Sequence, residues 1–211
     1  MKIVFFGDSI TDAQRKRDEL EYNAKYGSGF VIQVAGRLFL EDPTRFEIVN
    51  RGIGGDRIVD LIARIKKDVW NEQPDVLNIL EGINDISHEV YLENGVDEVR
   101  WERLYRMLLQ DTVERLPNTK IMICEPFVLK GRDANVGFDE HNKIRERSKI
   151  LREIAKDFGA CFVPLQATLD EAAAKFGDEV VCSDGMHPTV FGATLIAEEW
   201  LKAFRQYILD S

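Results

Sequence analysis

Short apolar runs that alternate with amphipathic segments are the feature that most constrains how this chain of 211 residues folds. The runs are rich in Ile, Val, Leu and Phe at successive positions, which is typical of strands covered on both faces. The predicted strands are Lys2–Phe6, Phe46–Asn50, Val76–Leu80, Ile121–Glu125 and Cys161–Pro164. Because strands that alternate with helices form βαβ units, the pattern predicts a three-layer α/β/α sandwich around a parallel sheet of about five strands.

The segments between these runs have the apolar spacing of helices. The clearest one carries an apolar face made of Ile58, Leu61, Ile62, Ile65 and Val69. Asp56 is placed to act as the N-cap of this helix. Further helices are predicted over about Phe30–Leu40, Val99–Arg115, Glu140–Phe158 and Val190–Ile208. Since no repeat or linker interrupts the pattern, we expect a single domain over residues 1–211.

Charge and cysteine usage exclude several classes of function. The formal net charge of -9 disfavours nucleic acid and anionic membrane surfaces as partners, whereas a neutral small-molecule ester suits it. The cysteines Cys124, Cys161 and Cys182 lack C-x-x-C spacing, so neither a disulfide framework nor a zinc site is indicated. No metal-ligand motif or cofactor motif is present. We therefore expect that the protein needs neither a metal nor a cofactor. The sequence also contains no signal-peptide pattern and no apolar stretch of transmembrane length, so we expect a cytoplasmic protein.

A candidate catalytic base follows from the small number of histidines. His187 has a carboxylate, Asp184, three positions upstream, and a tight loop would let this carboxylate accept from Nδ1–H and leave Nε2 free to take a proton from a serine. Pro188 disfavours helix at His187 and is placed to begin the last helix. His88 and His141 lack such a partner. The same Asp-x-x-His spacing also occurs as an incidental ion pair in surface loops.

A candidate nucleophile lies at the end of the first predicted strand. Ser9 follows this strand through Gly7 and Asp8, although a serine at this position can equally be a helix cap. The G-x-S-x-G elbow of α/β-hydrolases is not met, because Thr11 stands where the second glycine would be.

Candidate oxyanion donors follow the second and third predicted strands. The glycine-rich stretch Asn50–Asp56 contains Gly55, whose N–H can approach a ligand closely. The stretch Gly82–Asp85 contains Asn84, which presents a side-chain amide. A glycine turn after a strand is also a common plain connection. Because the carboxyl ends of parallel strands meet at one edge of a sheet, we expect these groups to face Ser9 there.

Four segments of the chain, taken together, resemble the sequence blocks of the GDSL esterases, the SGNH-hydrolase superfamily. The matching segments are Gly7-Asp8-Ser9-Ile10, Gly55, Gly82-Ile83-Asn84-Asp85 and Asp184-Gly185-Met186-His187-Pro188. They occur in the order of the family and span nearly the whole chain. The resemblance implies the flavodoxin-like fold of that superfamily, and a homo-oligomer is compatible with it.

The resemblance also implies the role of each residue. Ser9 would be the nucleophile, His187 the general base and Asp184 the carboxylate that orients the base. The backbone N–H groups of Ser9 and Gly55 and the side-chain amide of Asn84 would form the oxyanion hole. These are the roles that the chemistry of the residues had indicated.

A smaller set of residues resembles a particular group within the superfamily and so indicates a substrate. The stretches Asn50–Gly55, Glu81–Asp85 and Pro126–Phe127 are similar to small intracellular acetylxylan esterases and related carbohydrate deacetylases. We therefore expect a serine esterase that removes a short acyl group, acetyl in the first place, from an O-acetylated carbohydrate such as a xylo-oligosaccharide. No apolar insertion between the blocks would build the groove of a long-chain lipase.

Two other functions stay open at this point. One is an acyl thioesterase or lysophospholipase of the same superfamily, and the other is a non-catalytic α/β binding module. Aromatic residues near the blocks are candidates for stacking on a sugar ring, or else they belong to the core. These residues are Trp101, Phe127 and Phe138.

Overall fold

The computed structural model describes residues 1–17, 23–130 and 138–209. Its centre is a parallel sheet in the order β2-β1-β3-β4-β5. The strands are β1 (Lys2–Gly7), β2 (Glu47–Gly52), β3 (Val76–Leu80), β4 (Lys120–Cys124) and β5 (Cys161–Val163). Every predicted strand is confirmed, as is the three-layer α/β fold, and the strand order is that of flavodoxin-like folds.

Helices cover both faces of the sheet, and each of the five predicted helices is present among them. They are α1 (Ser9–Asp12), α2 (Phe30–Glu41), α3 (Ile58–Ile65), α4 (Ile83–Leu92), α5 (Glu98–Arg115), α6 (Phe138–Asp157), α7 (Gln166–Phe176), α8 (Asp178–Val181) and α9 (Val190–Phe204). Two of them continue into π-helical turns, α3 through Lys66–Trp70 and α9 through Arg205–Leu209. None of the helices in these ranges is both long enough and apolar enough to cross a membrane.

Alternate residues of β1 enter two separate cores, which is why the apolar run is continuous. Ile3 and Phe5 belong to the core beneath α2 and α9, where the Phe5 ring lies 5.1 Å from that of Trp200. Val4 and Phe6 belong to the core beneath α3 and α5. Each of these side chains is fully buried, and burial of one such side chain stabilises the fold by about 1.5–3 kcal/mol.

The start of α3 differs from the prediction. Arg57, and not Asp56, is the N-cap residue. The Asp56 carboxylate accepts instead from Arg64 Nε at 2.6 Å. The first N–H of the helix, that of Ile58, donates to the Asp85 carboxylate at 3.2 Å. The predicted cap was therefore wrong because a nearby arginine engages Asp56, while a carboxylate from the exit of β3 caps the helix.

The start of α9 also differs from the prediction. Pro188 is not the first helical residue, because Thr189 is the N-cap and its hydroxyl accepts from the Gly192 N–H at 3.3 Å. Pro188 forms an isolated antiparallel bridge with Cys182. The proline therefore closes the preceding loop.

Candidate active site

The exit of β1 places Ser9 at the carboxyl edge of the sheet, next to the point where the strand order reverses. The Asp8 side chain caps α1 by accepting from the Ile10 N–H at 2.9 Å, so Ser9 is the first residue of the helix and not its cap. Gly7 is required here, because a Cβ at this position would lie 2.2 Å from the Leu80 carbonyl oxygen. The tight turn leaves the Ser9 hydroxyl facing outward.

The loop between α8 and α9 presents His187. Asp184 organises this loop, since its Oδ1 accepts from the backbone N–H groups of Met186 at 2.9 Å and His187 at 2.7 Å. Gly185 has a φ of +89°, a left-handed conformation that favours glycine. The Leu129 N–H donates to the Gly185 carbonyl at 2.8 Å and ties the loop to the segment after β4.

Ser9, His187 and Asp184 form one continuous chain of hydrogen bonds. The Ser9 Oγ lies 2.8 Å from His187 Nε2. The His187 Nδ1 lies 2.6 Å from Asp184 Oδ2. With the ring proton on Nδ1 donated to the carboxylate, Nε2 is free to accept from the serine hydroxyl. The structure thus brings together all three residues that the sequence predicted for catalysis.

The carboxyl groups of Asp8, which precedes Ser9, and of Asp184 have pKa values that shift in opposite directions. Burial raises the pKa of the Asp8 carboxyl to about 7. Burial also acts to raise the pKa of Asp184, but the hydrogen bonds from the backbone and ring of His187 and from the Met186 N–H outweigh it. The pKa of Asp184 therefore lies below its usual value. Asp184 stays ionised beside the imidazole at neutral pH.

The predicted oxyanion donors lie on the same edge. A Cβ on Gly54 would be 3.7 Å from the Ser9 Cβ, so the glycine turn after β2 lies directly against the serine. Gly55, the next residue, has a φ of +84°. Asn84, in the first turn of α4, is only 9% exposed and donates from Nδ2 to the Asp56 carbonyl at 2.9 Å. Since an amide nitrogen carries two hydrogens, one N–H of Asn84 is left for a ligand.

A buried charged cluster supports the exits of β2 and β3, and the sequence analysis missed it. Glu81 and Asp85 lie side by side, and burial together with the charge of Asp85 raises the pKa of Glu81 well above its usual value. Arg147 from α6 donates to the Gly82 carbonyl at 3.3 Å and also reaches the Val96 carbonyl. Only tertiary contacts bring Arg147 to these acids, so no local sequence pattern could have revealed the cluster.

A pocket of about 510 Å³ opens beside the serine, a volume in the range of small-molecule sites. Its lining combines the candidate catalytic residues Ser9 and His187 with apolar and polar residues, namely Gly54, Ile10, Ala13, Gly29, Phe30, Pro188, Ala193, Asp12, Gln14 and Ser28. Of the aromatic residues considered as sugar platforms, Trp101 and Phe127 do not line this pocket. Trp101 and Phe127 are fully buried in the core, and the side chain of Phe138 lies outside the described residues.

A hydrogen-bonded serine, histidine and aspartate at the carboxyl edge of a parallel sheet is an arrangement that defines serine hydrolases as a class. The sequence profile of the GDSL-like lipase/acylhydrolase family matches residues 5–195. The chain therefore belongs to the GDSL-like lipase/acylhydrolase family, as its four sequence blocks predicted, and it is a carboxylic ester hydrolase.

Similar proteins of this family include enzymes that act on acetylated xylan. The chain is 30% identical over 207 residues to an acetylxylan esterase of Geobacillus stearothermophilus, across 95% of this chain and 92% of the relative. The crystal structure of the acetylxylan esterase Axe2 from that organism has a TM-score of 0.86 and 31% identity, across 96% of this chain and 93% of Axe2. A Parabacteroides merdae protein described as a GDSL-like lipase has a TM-score of 0.91 and 35% identity, across 96% of this chain and 94% of that protein.

Proposed function

We propose that this enzyme hydrolyses short-chain esters, acetyl esters above all, of a hydroxylated alcohol such as a xylo-oligosaccharide. The observation that carries the proposal is the hydrogen bond of 2.8 Å between Ser9 Oγ and His187 Nε2. The other nitrogen of the same ring is hydrogen-bonded to Asp184. The similarity to an acetylxylan esterase over nearly the whole chain supports acetylated xylan fragments as the first substrates to test.

In the proposed mechanism His187 acts first as a base and then as an acid. Nε2 takes the Ser9 proton while Oγ attacks the ester carbonyl carbon, and the carbonyl oxygen becomes an oxyanion. The backbone N–H groups of Ser9 and Gly55 and the free amide N–H of Asn84 stabilise this oxyanion. His187 then donates the proton to the alcohol oxygen, the bond from this oxygen to the carbonyl carbon breaks, and an acyl-enzyme remains.

Water completes the cycle by the same route. His187 takes a proton from water, the resulting hydroxide attacks the acyl carbon, and the second tetrahedral intermediate forms in the same oxyanion hole. Collapse of this intermediate releases the carboxylic acid and returns the proton to Ser9 Oγ. The Asp184 carboxylate accepts from Nδ1–H throughout and stabilises the imidazolium that forms in each half-reaction.

A substrate panel tests this proposal. The panel contains p-nitrophenyl acetate, p-nitrophenyl octanoate, an acyl thioester and acetylated xylo-oligosaccharides, and Ser9→Ala is assayed in parallel. We expect kcat/KM to be highest for the acetyl esters, and we expect Ser9→Ala to lose at least about 10⁴-fold on each of them.

Two outcomes would contradict the proposal. A preference for octanoate or for the thioester would favour an acyl thioesterase or lysophospholipase instead. Unchanged activity of Ser9→Ala would remove the serine mechanism, whatever the preferred acyl group.

A further inference from the structure

The turn that follows α1 has an unusual backbone. The Arg15 N–H donates to the Asp12 carbonyl at 2.9 Å, and both residues between them have positive φ angles, +41° at Ala13 and +59° at Gln14. This is the pattern of a type I′ turn, whose central positions are normally taken by Asn, Asp or Gly. A glutamine in the left-handed region is uncommon and strained.

Hydrogen bonds on both sides hold the turn in this conformation. The backbone N–H and the hydroxyl of Ser28 donate to the Ala13 carbonyl at 2.9 Å and 3.0 Å. The Arg15 guanidinium donates twice to the Gly52 carbonyl, at 3.1 Å and 2.9 Å, and pairs with Asp12 at 3.3 Å. The neighbouring elements therefore impose the strained conformation on Gln14.

The strained residue lies at the active site. Gln14 lines the same pocket as Ser9 and His187, its side chain is exposed, and its amide makes no hydrogen bond to any described residue. A primary amide offers both donors and an acceptor, which is the combination that a sugar hydroxyl can satisfy. Residues with a strained backbone cluster at active sites and ligand-binding sites, so the conformation of Gln14 points to a role in binding.

We propose that the Gln14 amide binds the hydroxyl groups of the alcohol part of the substrate, so that Gln14 determines specificity for carbohydrate esters. The proposal rests on the proposed function, because it needs a hydroxylated leaving group. It predicts a contact that p-nitrophenyl acetate cannot make and an acetylated xylo-oligosaccharide can.

Gln14→Gly tests this proposal, and the chain offers a matched control. Gln73 is also an exposed glutamine with a positive φ, +49°, but it follows the π-helical turn after α3 and does not line the active-site pocket. Glycine relieves the backbone strain at either position. We therefore expect neither Gln14→Gly nor Gln73→Gly to lower the melting temperature by more than about 3 °C.

The decisive measurement is the ratio of kcat/KM on acetylated xylo-oligosaccharide to kcat/KM on p-nitrophenyl acetate. We expect this ratio to fall about tenfold in Gln14→Gly, mainly through KM, and to stay unchanged in Gln73→Gly. Gln14→Asn, which tolerates the left-handed backbone but shortens the amide, should also lower the ratio.

A ratio in Gln14→Gly equal to that of the wild type would overturn the role of Gln14, including the case in which both activities fall together. The proposed function is tested separately, with the wild-type enzyme. If the wild type hydrolyses p-nitrophenyl acetate but leaves acetylated xylo-oligosaccharide intact, the carbohydrate substrate is wrong before any variant is made.

Discussion

Asp8, which precedes Ser9, and Asp184, which is hydrogen-bonded to His187, show how differently two regions of the site are built. Asp8 lies in the exit of β1 and is 1% exposed, and its Oδ2 has no hydrogen-bond partner among the described residues. Asp184 lies in the loop before α9 with a side chain that is 39% exposed, and it accepts from the imidazole and from backbone N–H groups.

The difference teaches that burial alone does not make a carboxylate suitable for catalysis. Without enough donors, burial favours the neutral form of Asp8, and its pKa rises to about 7. With several donors, Asp184 keeps its charge although part of it is shielded from water. The exit of β1 thus holds Ser9 through buried packing. The loop between α8 and α9, which carries His187, is more exposed and is held by hydrogen bonds.

The largest effect on activity should come from a substitution of Asp184, in the exposed loop before α9. We expect Asp184→Asn to lower kcat by about 10⁴-fold, because the amide favours the wrong imidazole tautomer and cannot stabilise the imidazolium. We expect the melting temperature to change little, since the amide oxygen of asparagine can still accept from the N–H groups of Met186 and His187. Steady-state kinetics and thermal unfolding of the same sample check both statements. Near-normal turnover in this variant would mean that the loop positions His187 without the Asp184 charge.

A smaller effect on activity should come from Asn84, in the buried region. We expect Asn84→Ala to lower kcat by roughly 10²–10³-fold through loss of one oxyanion donor. In contrast to Asp184→Asn, it should also lower the free energy of unfolding, by about 1 kcal/mol, because the buried Asp56 carbonyl loses its donor. Denaturant unfolding of the variant measures this loss. If Asn84→Ala leaves turnover intact, Asn84 is only a structural residue.

The last prediction concerns Asp8 and the pH dependence of stability, and it involves no large change in turnover. Between an unfolded pKa near 4 and a native pKa of about 7, the native state holds a proton that the unfolded state has lost. Asp8 therefore lowers the free energy of unfolding as pH rises through this window, by up to about 1.4 kcal/mol per pH unit.

Asp8→Asn should make that decline shallower, and denaturant unfolding between pH 5 and pH 7 provides the measurement. Asp184→Asn is the matched control, because the low pKa of Asp184 leaves it ionised in both states over this range. The contribution of Asp184 to stability is present above the unfolded pKa and is lost only as pH falls through the lower native pKa. Equal slopes in wild type and Asp8→Asn would show that Asp8 is charged at pH 5.

The strands and the main helices could be predicted because their signals are local. A continuous apolar run such as Val76–Leu80 is what a strand covered on both faces requires, and β3 has these bounds. The residues of the candidate active site could be selected from the sequence because acyl transfer restricts the residue types, and the order of four blocks restricts their positions. Ser9 and His187 meet in the structure although the sequence alone shows no contact between them.

The two errors concern the starts of α3 and α9, where other polar groups take the capping role. Asp56 fits the local pattern of an N-cap, but Arg64 engages it and Asp85 takes over the capping role. For Trp101 and Phe127 the sequence left a sugar platform and a core position open, and both side chains lie in the core. The single domain over residues 1–211, the cytoplasmic location and the homo-oligomer stay predictions.

The hydrogen bond between Ser9 and His187 spans 178 positions of the chain, and this separation has a consequence for biosynthesis. Ser9, the proposed nucleophile, is translated 178 residues before His187, its proposed proton acceptor. Until α9 docks on the sheet, a partly made chain can fold its first strands without gaining any power to cleave an ester. The time at which ester hydrolysis begins during cell-free translation would therefore show when α9 has docked on the sheet.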